Sequence, residues 1–331
     1  MFENSKVLVT GGTGMIGRPL VEKLLQCEAK IRIVSLDDPA AMDPRVEFHR
    51  LNLMHFENCM KACEGMDYVF HLAGVKGSPA MTAQKPASFF VPTISFNTHM
   101  MEAARQQGVK RFLYTSSIGV YAPAEIFHED NVWKTFPSEN DKFAGWAKRM
   151  GELQAEAYRI EYGWKGVVIV RPANVYGPYD NFDPENAMVI PSLIRRAMDG
   201  ENPLKVWGDG SPIRDFIHSR DVASGMMLAM EKPPEKSPEK PLNLGSGTGV
   251  SIRELVEIIV HYLKIKPQIV WDSSKPAGDA KRVMDISRAK AIGFQPAVSI
   301  EEGIREVMTW YDENREKVGR RYNVFRETKF V

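Results

Sequence analysis

Apolar positions fall in two alternating patterns over the first 172 residues. Short apolar runs at 6–10, 30–36, 46–53, 67–73, 110–116 and 166–171 have the length and character of strands. Between them, 15–27, 56–64, 88–107 and 143–162 carry apolar residues at helical spacing. That alternation predicts an α/β chain, a doubly wound parallel sheet with helices on both faces. After Pro172 the pattern breaks up: loops rich in Pro, Gly, Asn and Asp at 177–186, 208–212 and 233–241 interrupt shorter elements. A smaller mixed α/β domain for substrate is expected there. Residues 242–245 and 251–263 read as one more strand, able to rejoin the sheet, and a helix apolar at Leu255, Ile259 and Tyr262. A closing helix sets Ile300, Ile304, Val307, Met308 and Tyr311 at core spacing. The expected division is 1–172, with 217–248 returning to it, against 173–216 and 249–331. No internal repeat is present, and the biased stretch 233–241 suits a solvated loop.

Charge narrows the partners. Lys and Arg total 43 against 42 Asp and Glu, so no basic field awaits nucleic acid or a membrane surface, and a small molecule fits better. No apolar run reaches the roughly 18 residues of a membrane span. Residues 1–6 run straight into a strand without a signal-peptide pattern, which makes the cytoplasm the expected address. Cys27, Cys59 and Cys63 have no further Cys or His at ligand spacing, so no metal is expected and the thiols are read as reduced.

The chemistry begins where the first strand ends. Lys6–Thr10 runs into Gly11-Gly12-Thr13-Gly14-Met15-Ile16-Gly17 and then a helix. Gly11 permits the tight turn, Gly14 lets the backbone approach a pyrophosphate, and Gly17 lets helix pack on strand, while the helix start offers N–H donors. This is the context of a Rossmann-like dinucleotide site. The second strand ends in Ser35-Leu36-Asp37-Asp38; a carboxylate at Asp37 would bond the adenosine ribose and repel a 2′-phosphate, favouring NAD, whereas Ser35 would tolerate NADP. Leu72-Ala73-Gly74 after the fourth strand are small enough for the cofactor to lie close, and His71 reads as a satisfied core histidine.

The G-x-x-G-x-x-G spacing, with Leu113-Tyr114-Thr115-Ser116-Ser117-Ile118-Gly119-Val120-Tyr121 closing the fifth strand, resembles the extended short-chain dehydrogenase/reductase proteins that act on nucleotide sugars. The resemblance implies that Ser117 bonds the reacting sugar oxygen and that Lys148 bonds the nicotinamide ribose. It also implies that Asn52, Leu53, Lys76 and Pro172 complete the cofactor lining. In that family a tyrosine stands four residues before the lysine; here the residue is Ala144, which can neither give nor take a proton. Three readings stay open: an engineered Tyr→Ala that traps a complex, an enzyme using another acid/base (Tyr179, Lys76 or a water-borne proton from Ser117), or a binding protein without turnover.

The second half is similar to the GDP-fucose synthase branch of the family, through Arg171-Pro172-Ala173-Asn174-Val175-Tyr176-Gly177-Pro178, Val206-Trp207-Gly208-Asp209-Gly210 and Trp271-Asp272-Ser273-Ser274-Lys275. By that likeness Asn174, Arg196, Arg214 and Lys275 would hold a diphosphate and sugar, with Val189 and Trp207 near the nucleotide. Where that branch uses a cysteine and a histidine to epimerise, this chain has Gly119 and Met188. Where related dehydratases place Asp-Glu, it has Ile118-Gly119. Oxidation and reduction at one sugar carbon is the chemistry left: a 4-epimerase, or a 4-keto reductase or dehydrogenase. A homodimer is expected from the apolar residues Phe89, Phe90, Ile94, Met100 and Met101 on 88–107 and Trp146, Met150 and Leu153 on 143–162.

Overall fold

The computed structural model describes residues 1–39, 42–75, 77–232, 240–275, 278–316 and 318. Lys76 and most of the expected loop at 233–241 lie outside the described residues. The first half runs β1 (Lys6–Thr10), α1 (Gly17–Gln26), β2 (Lys30–Val34), β3 (Glu47–His49), α2 (Phe56–Cys63), β4 (Tyr68–His71), α3 (Pro79–Gln84), α4 (Pro86–Gln106), β5 (Arg111–Thr115), β6 (Ile126–Phe127), α5 (Lys142–Tyr162) and β7 (Val167–Pro172). The second runs β8 (Asn174–Tyr176), α6 (Val189–Met198), β9 (Leu204–Trp207), β10 (Ile213–Arg214), β11 (Phe216–His218), α7 (Ser219–Glu231), β12 (Leu242–Leu244), β13 (Val250–Ser251), α8 (Ile252–His261), β14 (Ile269–Asp272), β15 (Lys281–Met284), α9 (Ser287–Ala291) and α10 (Ile300–Asn314).

Seven strands form one parallel sheet in the order β12-β7-β5-β4-β1-β2-β3. The order reverses between β1 and β4, where a doubly wound sheet opens a crevice beyond its strand C-termini. Burial on both faces explains the unbroken apolar runs: Val7, Leu8 and Val9 in β1 are all fully buried. On one face Leu20, Val21 and Leu24 of α1 pack with Val222 and Met226 of α7 and with Ala289 of α9. On the other, Cys59 and Cys63 of α2, Met100 and Met101 of α4 and Ala155 of α5 fill the core. The expected strand at 46–53 shortens to β3, because after His49 the chain turns and Asn52 Oδ1 accepts from the Met54 N–H.

The remaining strands are two to four residues long. β13-β10-β15-β6 make a second sheet, β8 pairs with β11, and β9 pairs with β14. A separate core joins Leu193 and Ile194 of α6, Leu255 and Ile259 of α8, and Ile304, Val307 and Tyr311 of α10. Ser251 and Glu254 close a reciprocal capping box at the start of α8. On α4, Met100 and Met101 are buried in the core shared with the sheet and Phe89 is buried as well, so the apolar surface expected of them is not available. No helix among the described residues is long and apolar enough to cross a membrane.

Candidate active site

The glycine turn and the end of β4 are locked together by Thr10. Its Oγ1 accepts from the N–H groups of Leu72 (3.1 Å) and Ala73 (3.0 Å), so both turns open into one crevice. Gly11 has φ +68° and lies so close that a methyl on it would meet the Ala73 backbone at 3.0 Å. A methyl on Gly17 would sit 2.4 Å from the Gly11 carbonyl, which is why α1 can start directly on the turn. No side chain caps α1 and no acidic residue stands in its first turn, so its N–H groups and dipole suit an anion. At the far end Thr13 Oγ1 lies 2.8 Å from Ser35 Oγ and donates to Asp37 Oδ2 at 2.9 Å. The backbone cradle and this hydroxyl and carboxylate set fit a dinucleotide. Leu53, in the turn after β3, packs its side chain in the core cluster that includes Cys59. The fold also delivers two arginines that the sequence did not flag: Arg50 donates to the Leu36 carbonyl, and Arg18 donates to the Thr13 carbonyl. Arg18 stacks on Tyr179, 4.2 Å from its ring centre, which ties that tyrosine to the glycine turn.

At the end of β5, Ser117 stands in extended backbone, and its Oγ accepts from the Gly119 N–H at 3.1 Å, which leaves the hydroxyl proton free to donate. Lys148 donates to the Thr115 carbonyl at 2.8 Å, and burial pulls its pKa down to about 8. Helix α5 is pressed onto the loop: a methyl on Gly145 would lie 2.4 Å from the Gly119 carbonyl, and one on Gly151 would overlap the Tyr114 ring. From behind, Arg149 is buried and donates to the Val120 carbonyl. Ala144 sits half-buried on this helix, one turn before Lys148.

A buried hydrogen-bond chain connects the two ends. His71 bridges Thr10 Oγ1 (2.8 Å) and Asn97 Oδ1 (2.9 Å), Asn97 Nδ2 donates to the Tyr114 hydroxyl, and that hydroxyl donates to the Lys148 carbonyl. An amide oxygen can only accept, so the ring proton of neutral His71 is on Nε2 and Thr10 donates to Nδ1. Every donor therefore points from β1 toward α5. Burial, with the nearby Lys148 cation, pulls the His71 pKa down to about 3 and keeps the ring neutral.

The residues expected at the sugar and diphosphate are spread over the second half. Asn174 donates to the Asp215 carbonyl at 2.9 Å. Val189 opens α6, and the loop before that helix is held to the β4 side by Ser78 N–H donating to Asn186 Oδ1. Trp207 is 59% exposed, with the Lys275 ammonium 5.9 Å from its ring centre. Arg196 is already paired with Glu201 (2.6 Å) and lies along β9 through the Lys205 carbonyl. Arg214 donates to the Asp279 carbonyl, and its register partner in β15 is Arg282, whose Nη2 lies 2.7 Å from Asp141 Oδ2. Arg282 and Asp141 were not singled out in the sequence. Nor was Asp215, whose buried carboxylate accepts from the N–H groups of Ser246, Gly247 and Met284.

Comparison with known proteins agrees with this geometry. The profile of the NAD dependent epimerase/dehydratase family matches residues 7–245. The chain is 31% identical over 319 residues to GDP-L-fucose synthase 1 of Arabidopsis thaliana, covering 94% of each. It is 30% identical over 319 residues to dTDP-4-dehydro-6-deoxy-D-allose reductase of Streptomyces bikiniensis, covering 92% of this chain and 95% of that one. Among solved structures, the epimerase Mth375 of Methanothermobacter thermautotrophicus superposes with a TM-score of 0.83 at 26% identity, over 96% of this chain and 95% of that one.

Proposed function

Because the chain belongs to the NAD dependent epimerase/dehydratase family, we propose that it oxidises and reduces one carbon of a nucleotide sugar, with NAD as cofactor and a GDP-sugar as substrate. The observation that supports this is that Lys148 Nζ is held on the carbonyl of Thr115, the last residue of β5, two residues before Ser117, in the same parallel sheet whose first strand ends in the glycine turn. When bound, the nicotinamide would accept and return the hydrogen of the sugar carbon with its electron pair. Gly11, Gly14, Gly17 and the start of α1 would hold the pyrophosphate, and Asp37 with Ser35 the adenosine ribose. Lys148 would bond the nicotinamide ribose. Ser117 Oγ would donate to the reacting sugar oxygen. Asn174, Arg214 and Lys275 supply donors and charge for the diphosphate, and Arg196 can join them by exchanging Glu201 for phosphate.

Loss of histidine and cysteine at 188 and 119 leaves 4-epimerisation or 4-keto reduction as the reactions these residues can serve. Ala144 favours a second reading, a cofactor- and sugar-nucleotide-binding protein without turnover. Incubating the chain with oxidised and reduced cofactor and a panel of GDP-, dTDP- and UDP-sugars separates the two. Cofactor absorbance changes or a sugar epimer identified by NMR support the enzyme. Binding with no conversion, both in the chain and in its Ala144→Tyr variant, overturns it in favour of the binder.

A further inference from the structure

Oxidation of an alcohol releases a proton, and a base must take it. Alanine at 144 cannot, and the Tyr179 ring belongs to the glycine turn. A carboxylate, that of Asp141, stands across Gly119 from Ser117. A methyl built on Gly119 would lie 3.5 Å from Ser117 Oγ, 3.5 Å from Asp141 Cβ and 3.6 Å from the Asp141 carboxyl carbon. The two side chains thus flank Gly119, and the absence of a side chain there leaves the space between them open. Asp141 is the residue just before α5. Asp141, Ala144 and Lys148 stand at i, i+3 and i+7, which places them on one stripe of the helix.

The carboxylate is held without being used up. Arg282 Nη2 lies 2.7 Å from Oδ2, which is buried, while no hydrogen bond reaches Oδ1 among the described residues. Both side chains are mostly buried, at 24% exposure for Asp141 and 12% for Arg282. Arg282 is itself fixed through β15, whose neighbour β10 carries Arg214, with Asp279 3.8 Å from its Nε. Arginine keeps its proton, so this partner orients the carboxylate without competing for the one released by substrate.

Resting on the proposed function, we infer that Asp141 is the acid/base that replaces the missing phenol. In the oxidising direction the sugar O–H proton passes to an Asp141 carboxylate oxygen and the C=O bond forms. The carbon's hydrogen leaves with its electron pair to the oxidised nicotinamide, which is reduced. In the reducing direction the carboxylic acid returns the proton to the oxygen. Ser117 donates a hydrogen bond to the same oxygen throughout.

The test uses the full chain and whichever of GDP-L-fucose, UDP-glucose or dTDP-glucose it turns over. Removing general-base assistance slows a step by about 10²–10⁴-fold, so Asp141→Asn should slow single-turnover cofactor reduction by that order. Adding Ala144→Tyr to Asp141→Asn should recover tenfold or more, because a phenol beside Lys148 offers the proton another acceptor. A carboxylate that only braced Arg282 would not be replaced by a phenol in this way. Without cofactor, calorimetry should show that Asp141→Asn weakens the nucleotide sugar about threefold or more while leaving the free nucleoside diphosphate unchanged, as expected for one lost hydrogen bond. If Asp141→Asn melts early, Asp141→Ser decides the matter, because a serine hydroxyl is no base at neutral pH, and a rate equal to the parent's overturns the inference. A parent that turns over while Asp141→Asn stays within threefold of it also overturns the inference and leaves the proposed function standing. A parent that binds these sugars without turnover overturns the inference, and the proposed function falls with it when Ala144→Tyr is silent as well; one that binds none of them, cofactor loaded or not, refutes the nucleotide-sugar reading itself.

Discussion

At the scale of single residues, the choice of cofactor turns on Asp37. Its carboxylate is held by Thr13 beside Ser35, where it would accept from ribose hydroxyls and repel a 2′-phosphate. The sequence shows no cation directly after the second strand, but folding brings Arg50 to the Leu36 carbonyl. The carboxylate and the guanidinium therefore act on the two cofactors in opposite senses. With Asp37 present, NAD is expected to bind more tightly; Asp37→Ser should shift the NADP to NAD affinity ratio upward by at least tenfold, about 1.4 kcal/mol. Titration of cofactor-free protein with both dinucleotides measures it. Tighter NADP binding by the parent would give the selection to Arg50 and Ser35. The glycine turn, Ser117 and Lys148 sit in contiguous motifs and are readable in the sequence, whereas Arg50, Asp141, Asp215 and Arg282 acquire their surroundings from partners distant in sequence.

At the scale of elements, the buried chain from Thr10 to Lys148 makes folding sensitive to acid. His71 ionises near 6.5 when unfolded and is pulled down to about 3 in the fold by burial and the Lys148 cation. Between those values the unfolded chain binds more protons, so stability present above about 6.5 is lost as the pH falls toward 3. The loss at pH 5 is on the order of 2 kcal/mol. His218, pulled down to about 4 by burial and by Arg220, contributes with the same sign. Carboxylates held low by partners, such as Glu102 at about 2 beside Arg105, act only below their ordinary range near 4.5. Glu129, Asp215 and Glu306, raised by burial, act in the opposite sense, so the His71 share is read from the difference between parent and variant: urea unfolding at pH 7, 6 and 5 should show the parent losing stability faster than His71→Gln. Equal slopes would mean His71 is not the coupled group. The sequence marked His71 as a core residue but could not show its partners, because β1, β4, α4, β5 and α5 meet only in the fold. The short strands of the second half were illegible for a related reason: two to four residues are too few to show a period.

At the scale of the whole molecule, what remains exposed on the long helices bears on assembly. With Phe89, Met100 and Met101 turned inward, the outer faces of α4 and α5 still show Val91 at 52%, Leu153 at 44% and Ile160 at 75% exposure. We propose that these two helices pair with their copies about a two-fold axis, a smaller apolar patch than the sequence suggested but a continuous pair of packed helices. Sedimentation at micromolar concentration should give a dimer of the 37.4 kDa chain, and Leu153→Glu with Ile160→Glu should yield monomers with an unchanged melting profile within each chain. A monomeric parent rules the pairing out.

The seating of α5 has a consequence for descent. The helix is positioned by contacts behind and around Ala144: Gly145 against the Gly119 carbonyl, Gly151 against Tyr114, Arg149 on the Val120 carbonyl, and the Lys148 carbonyl at the end of the hydrogen-bond chain. None of these uses the side chain at 144. A lineage could therefore exchange that side chain by a single step without disturbing the scaffold, and selection would register only the chemistry. Position 144 is thus a place where the chemistry of this chain could change, or stop, while the seating of the helix stays as it is.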